Sequence, residues 1–134
     1  MIAVDTSALM AILLWEPEAG FCIAALESEA DLLISTGTVV EALIVARGRN
    51  LGDEMERLID GLGFQVVSVT EASARQVAQA WRRWGKGVHP AALNFGDCFA
   101  YAVAKQHDCK LLYVGKDFGQ TDIGGVVSQH RPGA

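Results

Sequence analysis

Non-polar residues in this chain come in short blocks whose spacing alternates between that of strands and that of helices. "IAV" at 2–4 is too short for a helix and is closed by Asp5, so it predicts a buried strand. Residues 6–14 predict a helix that runs to "WEP", where Pro17 can open a second helix, "EAGFCIAALESE". "DLLIS" at 31–35 predicts a strand, and "TVVEALIVARGR" a helix from Thr38, with Thr38-x-x-Glu41 forming a capping-box pattern. Met55, Leu58, Ile59 and Leu62 recur at helical spacing in "DEMERLIDGL". "FQVVSV" at 64–69 is strand-like, and a long helix follows from Glu71 to Trp84 with Ala74, Val77, Ala78 and Trp81 expected inward. "GKGVHPAALN" predicts a loop, "FGDCFAYAVAKQHD" a helix, "KLLYVG" a buried strand and "GGVV" a last short strand.

Strands that alternate with helices imply parallel pairing, because parallel neighbours need a crossover connection. The expected fold is α/β, a three-layer α/β/α sandwich around a mostly parallel sheet, with residues 1–134 forming one domain. In such sheets ligands bind beyond the carboxyl ends of the strands. That edge is therefore the place to look for chemistry.

Composition narrows the class. The chain is 51% hydrophobic, which argues against disorder and permits an apolar self-association surface. Its net charge of −5 argues against a simple nucleic-acid-binding module. Cys22, Cys98 and Cys109 are widely spaced without a C-x-x-C, and the three histidines supply no H-E-x-x-H, so no zinc site is expected. Reduced cysteines, an early apolar run far short of the ~20 residues of a membrane span, and no basic residue ahead of it point to a cytoplasmic protein.

Four acids fall at the same edge of this predicted scaffold. Asp5 follows the first strand directly, Glu41 and Asp97 lie near the starts of helices that return across the sheet, and Asp117 comes shortly after "LLYV". Each has a structural explanation of its own: Asp5 and Asp97 as helix caps, Glu41 in its capping box, Asp117 in a turn. Capping does not require all four to share one rim. Like charges ~4 Å apart repel by about 4 kcal/mol at an effective dielectric of ~20. A rim of oxygen ligands without His or Cys therefore suits Mg²⁺ or Mn²⁺, and with it phosphodiester chemistry.

The segments "VDTSALMAILLWEPEA", "ISTGTVVEALIVARGR", "NFGDCFAYAVAKQ" and "LLYVGKDFGQTDI", in this order, resemble a PIN-domain ribonuclease, specifically a VapC-type toxin of a toxin–antitoxin pair. The resemblance implies a PIN-like fold and a metal-dependent endoribonuclease that hydrolyses RNA with Mg²⁺ or Mn²⁺. It also implies a homodimer inhibited by a small cognate antitoxin. Its acidic site carries over onto Asp5, Glu41, Asp97 and Asp117, with Asp122 as a further acid. It also implies roles for the hydroxyls of Thr6 and Ser7 in holding a carboxylate or a metal-bound water. Lys116, before Asp117, stands where many relatives carry a neutral or acidic residue.

Outside the acids, Arg82 and Arg83 in "WRRWGKG" are candidates for RNA-backbone contact, or cations favoured by the C-terminal end of their helix. The apolar segments Ile12–Trp15 and Val39–Ala46 are candidate dimer faces. Two other classes remain in view: a different Mg²⁺-dependent phosphoryl-transfer domain, and a non-catalytic PIN-like interaction module. Against the first, Asp5 is followed by Thr6 and Ser7, which supply neither an adjacent acid pair nor D-x-D. Against the second, none of the four acids is missing.

Overall fold

The computed structural model describes residues 1–126. Its elements run β1 (Ile2–Val4), α1 (Thr6–Leu13), α2 (Ala19–Ser28), β2 (Leu32–Ser35), α3 (Thr36–Gly48), α4 (Gly52–Leu62), β3 (Gln65–Val67), α5 (Glu71–Trp84), α6 (Phe95–Gln106), β4 (Lys110–Leu112) and a short 3₁₀ turn, Phe118–Gln120. The strands lie in the order β3-β2-β1-β4, and every pairing is parallel. The expected mostly parallel sheet is thus wholly parallel among the described residues.

Alternation along the strands splits the interior in two. Ala3, Leu33 and Leu111 face a core built with Val77, Ala80 and Trp84 of α5 and the inner face of α6. Ile2, Val4, Leu32, Ile34 and Leu112 face the other core, with Leu9, Cys22, Ala42 and Met55 from α1 to α4. This gives the three expected layers. Strand β1, central and buried at all three positions, touches both cores. From β1 the chain moves outward through β2 to β3, then crosses back to place β4 on the other side of β1. The connections therefore diverge at the carboxyl ends of β1 and β4, which is where open parallel sheets leave a crevice.

Two local expectations need correction. Helix α3 begins at Thr36, capped by the Ser35 hydroxyl accepting from the Gly37 N–H at 3.1 Å, so Thr38 lies buried inside the helix and forms no capping box with Glu41. The inward face of α5 is Ser73, Val77, Ala80 and Trp84, while Ala74, Ala78 and Trp81 are exposed. Ser73 can point inward because it closes a capping box with Thr70, which satisfies its hydroxyl. The 85–94 loop is pinned by a bridge between Gly85 and Leu93, with bonds Lys86 N–H to Leu93 O at 2.9 Å and Leu93 N–H to Trp84 O at 3.0 Å.

In place of the last strand, Gly125 makes a single parallel bridge with Leu111, and Val127 lies outside the described residues. The three cysteines are unpaired. Among the described residues no helix is long and apolar enough to cross a membrane.

Candidate active site

Asp5 leaves β1 and caps α1 in one residue. Its backbone is extended, its N–H donates to Leu112 O of β4 at 3.0 Å, and its Oδ2 accepts from the Ser7 N–H at 3.0 Å. Ser7 also donates its hydroxyl to that Oδ2 at 2.7 Å and accepts the Val114 N–H at 3.0 Å. One serine thus locks the carboxylate to the exits of both β1 and β4. Both bonds to the carboxylate use Oδ2. Oδ1 is buried and has no partner, in a residue only 2% exposed. Buried polar atoms are nearly always paired, so this unpartnered carboxylate oxygen at the sheet's switch point is one that a cation could take.

The capping and rim readings of Asp5 are therefore not exclusive, since capping occupies Oδ2 alone and leaves Oδ1 without a partner. Asp97 divides its carboxylate in a related way. It is the third residue of α6 and not its cap: Asn94 caps the helix, accepting the Asp97 N–H at 2.8 Å, while Asp97 Oδ2 accepts the Asn94 N–H at 2.9 Å. The Asn94-x-x-Asp97 spacing is a capping-box variant, with Asn and Asp in place of Ser/Thr and Glu/Gln. It fixes the Asp97 side chain before any ligand arrives.

Glu41 enters from the second turn of α3. Its Oε1 accepts the Thr6 hydroxyl at 2.6 Å, and its carboxylate lies against the backbone of Gly96 in the first turn of α6. Thr6 and Ser7 hence hold one carboxylate each. Asp117 stands exposed ahead of the 3₁₀ turn with no side-chain cap bond, beside exposed Lys116.

Protonation ties these acids together. Burial pushes the Asp5 carboxyl up from 3.8 to about 7; the Asp97 and Glu41 charges add to the rise and the Ser7 bonds oppose it. Asp97 rises to about 6, first from burial and then from Glu41 and Asp117, against the Asn94 bond. Asp97 and Glu41 thus act on Asp5, and Glu41 and Asp117 on Asp97. Among the described residues no three acids converge tightly enough to form a finished metal cage. Mg²⁺ keeps several waters and takes one or two protein carboxylates, so Asp5 and Asp97 could hold it without such a cage. Asp5 Oδ1 is a buried carboxylate oxygen without a partner. The donor set fits the ion.

Asp122 does not join them. Its Oδ1 accepts the Tyr101 hydroxyl at 2.5 Å, and its Oδ2 takes Lys105 at 3.2 Å and Arg83 at 3.5 Å. Tyr101 and Lys105 lie four and eight residues along α6 from Asp97, roughly 6–12 Å by helical rise. Asp122 is a clasp joining α5, α6 and the turn after β4, with both oxygens committed. Arg83 belongs to the same clasp and stacks on Trp84, 4.5 Å from its ring centre. Arg82 instead borders a groove of about 600 Å³ lined by Val69, Ala74, Ala78, Trp81, Phe95 and Phe99. The structure gives neither arginine a contact with the acidic rim.

With this geometry in place, the comparisons agree with one another. The PIN domain family matches residues 2–124. Ribonuclease VapC36 of Mycobacterium tuberculosis is 44% identical over 124 residues, covering 90% of this chain and 89% of its own. Ribonuclease VapC30 of the same organism is 38% identical over 129 residues, covering 94% and 98%. Among solved structures, Mycobacterium tuberculosis VapC20, described as a sarcin–ricin loop cleaving toxin, superposes with a TM-score of 0.75 at 17% identity, over 94% of this chain and 98% of that one. A toxin–antitoxin complex from Klebsiella pneumoniae gives 0.69 at 19% identity, over 95% and 97%. At these identities the two structures speak for the fold.

Proposed function

The chain belongs to the PIN-domain family, and from that premise we propose that it is a divalent-metal-dependent endoribonuclease, the toxin of a toxin–antitoxin pair. The observation that carries the proposal is the orphaned, buried Asp5 Oδ1 at the switch point of the sheet, in a cluster with Glu41, Asp97 and Asp117. Four carboxylates alone would repel an RNA backbone. Mg²⁺ or Mn²⁺, when bound, offsets that charge and lowers the pKa of a water. Asp5 and Asp97 are the acids best fixed to hold the ion, Glu41 and Asp117 complete its surroundings, and Thr6, Ser7 and Asn94 keep the carboxylates oriented. The inhibitor is a small cognate antitoxin. Purified protein should cut RNA with Mg²⁺ or Mn²⁺, stop in EDTA, and be silenced by the product of an adjacent small reading frame. Equal cleavage in EDTA would end the metal reading.

The same family premise supports a homodimer, and the exposed apolar residues suggest its face. Gly37, Val40, Glu41 and Ile44 follow one stripe of α3. Val40 is 56% and Ile44 67% exposed, and Gly37 packs on Phe99. Beyond Phe99 the stripe continues into the groove with Phe95, 71% exposed, and Trp81. Exposed apolar residues gathered in this way are a candidate interaction surface. Of the two segments expected, Val39–Ala46 contributes to it, whereas only Trp15 of Ile12–Trp15 is strongly exposed. The double variant Ile44→Asp/Phe95→Asp should sediment as a monomer at tens of micromolar, where wild type is a dimer. A wild-type monomer, or a dimeric variant, would place the interface elsewhere or remove it.

A further inference from the structure

We propose that the missing side chain of Gly96 is the seat of the Glu41 carboxylate, making Gly96 a positioning residue for the acidic site; this rests on the metal-nuclease reading above. A Cβ placed on Gly96 would stand 2.6 Å from Glu41 Oε1 and closer still to Oε2 and Cδ, all within contact distance. The backbone at Gly96 does not call for glycine. It is the second residue of α6, and its φ is not among the positive ones. Glycine is a poor helix former, and alanine there would favour the helix. The three heavy atoms nearest to the space it leaves open all belong to Glu41.

Two contacts then define where Glu41 stands. The Thr6 hydroxyl holds Oε1 from α1, and the bare Gly96 backbone lets the carboxylate settle on the first turn of α6, one residue before Asp97. The N-terminal end of a helix favours negative charge. The carboxylate is therefore drawn toward α6 at the point where Asp97 is fixed by its capping box. A methyl group at residue 96 would push it away, and the far end of a flexible side chain can yield without disturbing the core.

This separates site from fold. Gly96→Ala should fold and, without metal, melt at or above wild type. Its RNA cleavage should fall roughly 100-fold, the loss typical of a displacement near 1 Å at a reacting centre. The stabilisation that Mn²⁺ gives wild type should shrink in the variant. Glu41→Asp shortens the acid and removes the collision, so Gly96→Ala should cost little further activity in that background. Wild-type cleavage in Gly96→Ala, or an equal loss in both backgrounds, would overturn the proposal. If wild type neither cleaves RNA nor gains from Mn²⁺, the nuclease reading fails by itself. Carboxyl-carbon NMR of metal-free protein then still decides the seat: a shifted Glu41 signal in Gly96→Ala supports it, and an unchanged one overturns it.

Discussion

Asp5→Asn is expected to abolish RNA cleavage and, in metal-free protein above neutral pH, to raise the melting temperature. The two effects share one cause. Asp5 is buried, and its ionised form is held down by burial first and by Asp97 and Glu41 after it. Asparagine is nearly the same size and ranks with aspartate as a helix cap, so its oxygen can keep the bonds to the Ser7 N–H and hydroxyl. What disappears is the charge, together with the free acceptor that a cation would use. Relief of charge burial should outweigh the cost of a buried amide N–H, for a net gain of about 1–3 kcal/mol, or roughly 3–8 °C. Cleavage should fall by at least roughly 100-fold, as when a group aligned on the reacting atoms is lost. An Asn variant that melts and cleaves like wild type would return Asp5 to the role of a cap alone.

Much of this arrangement was legible because the strands are short and wholly apolar while the acids interrupt them. "IAV" followed by Asp5 declares both a buried strand and its exit, and the alternation of strands and helices alone predicts that Asp5, Glu41, Asp97 and Asp117 lie toward the carboxyl edge. The start of α3 was hidden by "STGT", in which three hydroxyl residues could each cap a helix; packing chose Ser35 and buried Thr38. The face of α5 was ambiguous because Ala74, Ala78 and Trp81 compete with Ala80 and Trp84, and a serine sits on the winning side. Asp122 lies in "QTDI" only five residues past Asp117, and nothing local says that the chain turns there toward Tyr101 and Lys105. Gly96 was visible as a glycine, but its meaning depends on Glu41, which only the tertiary fold brings to it.

Raising the pH should destabilise the metal-free protein, and Mn²⁺ should reverse that trend. An unfolded chain releases the protons of Asp5 and Asp97 near 3.8, whereas the folded chain keeps them to about 7 and about 6. Between those values the folded state binds more protons. The stability these two acids contribute is therefore fully present below about pH 4 and lost as pH rises through 6 to 7. Asp122 runs the other way: burial opposes its ionisation, but its bonds from Tyr101 and Lys105 win and hold its carboxyl below the usual range, so its contribution fades only in acid. Metal needs the ionised carboxylates and competes with the same protons. At pH 5 added Mn²⁺ should shift the melt little. At pH 8 an ion at a hundredfold excess over its Kd adds about 2.7 kcal/mol, enough to offset much of the repulsion. Thermal melts from pH 5 to 8, with and without Mn²⁺, should show the metal-free curve falling while the increment from Mn²⁺ grows. Asp5→Asn/Asp97→Asn should flatten both trends. A wild-type melt that ignores pH across this range, or a Mn²⁺ increment as large at pH 5 as at pH 8, would mean that these carboxylates do not hold the metal.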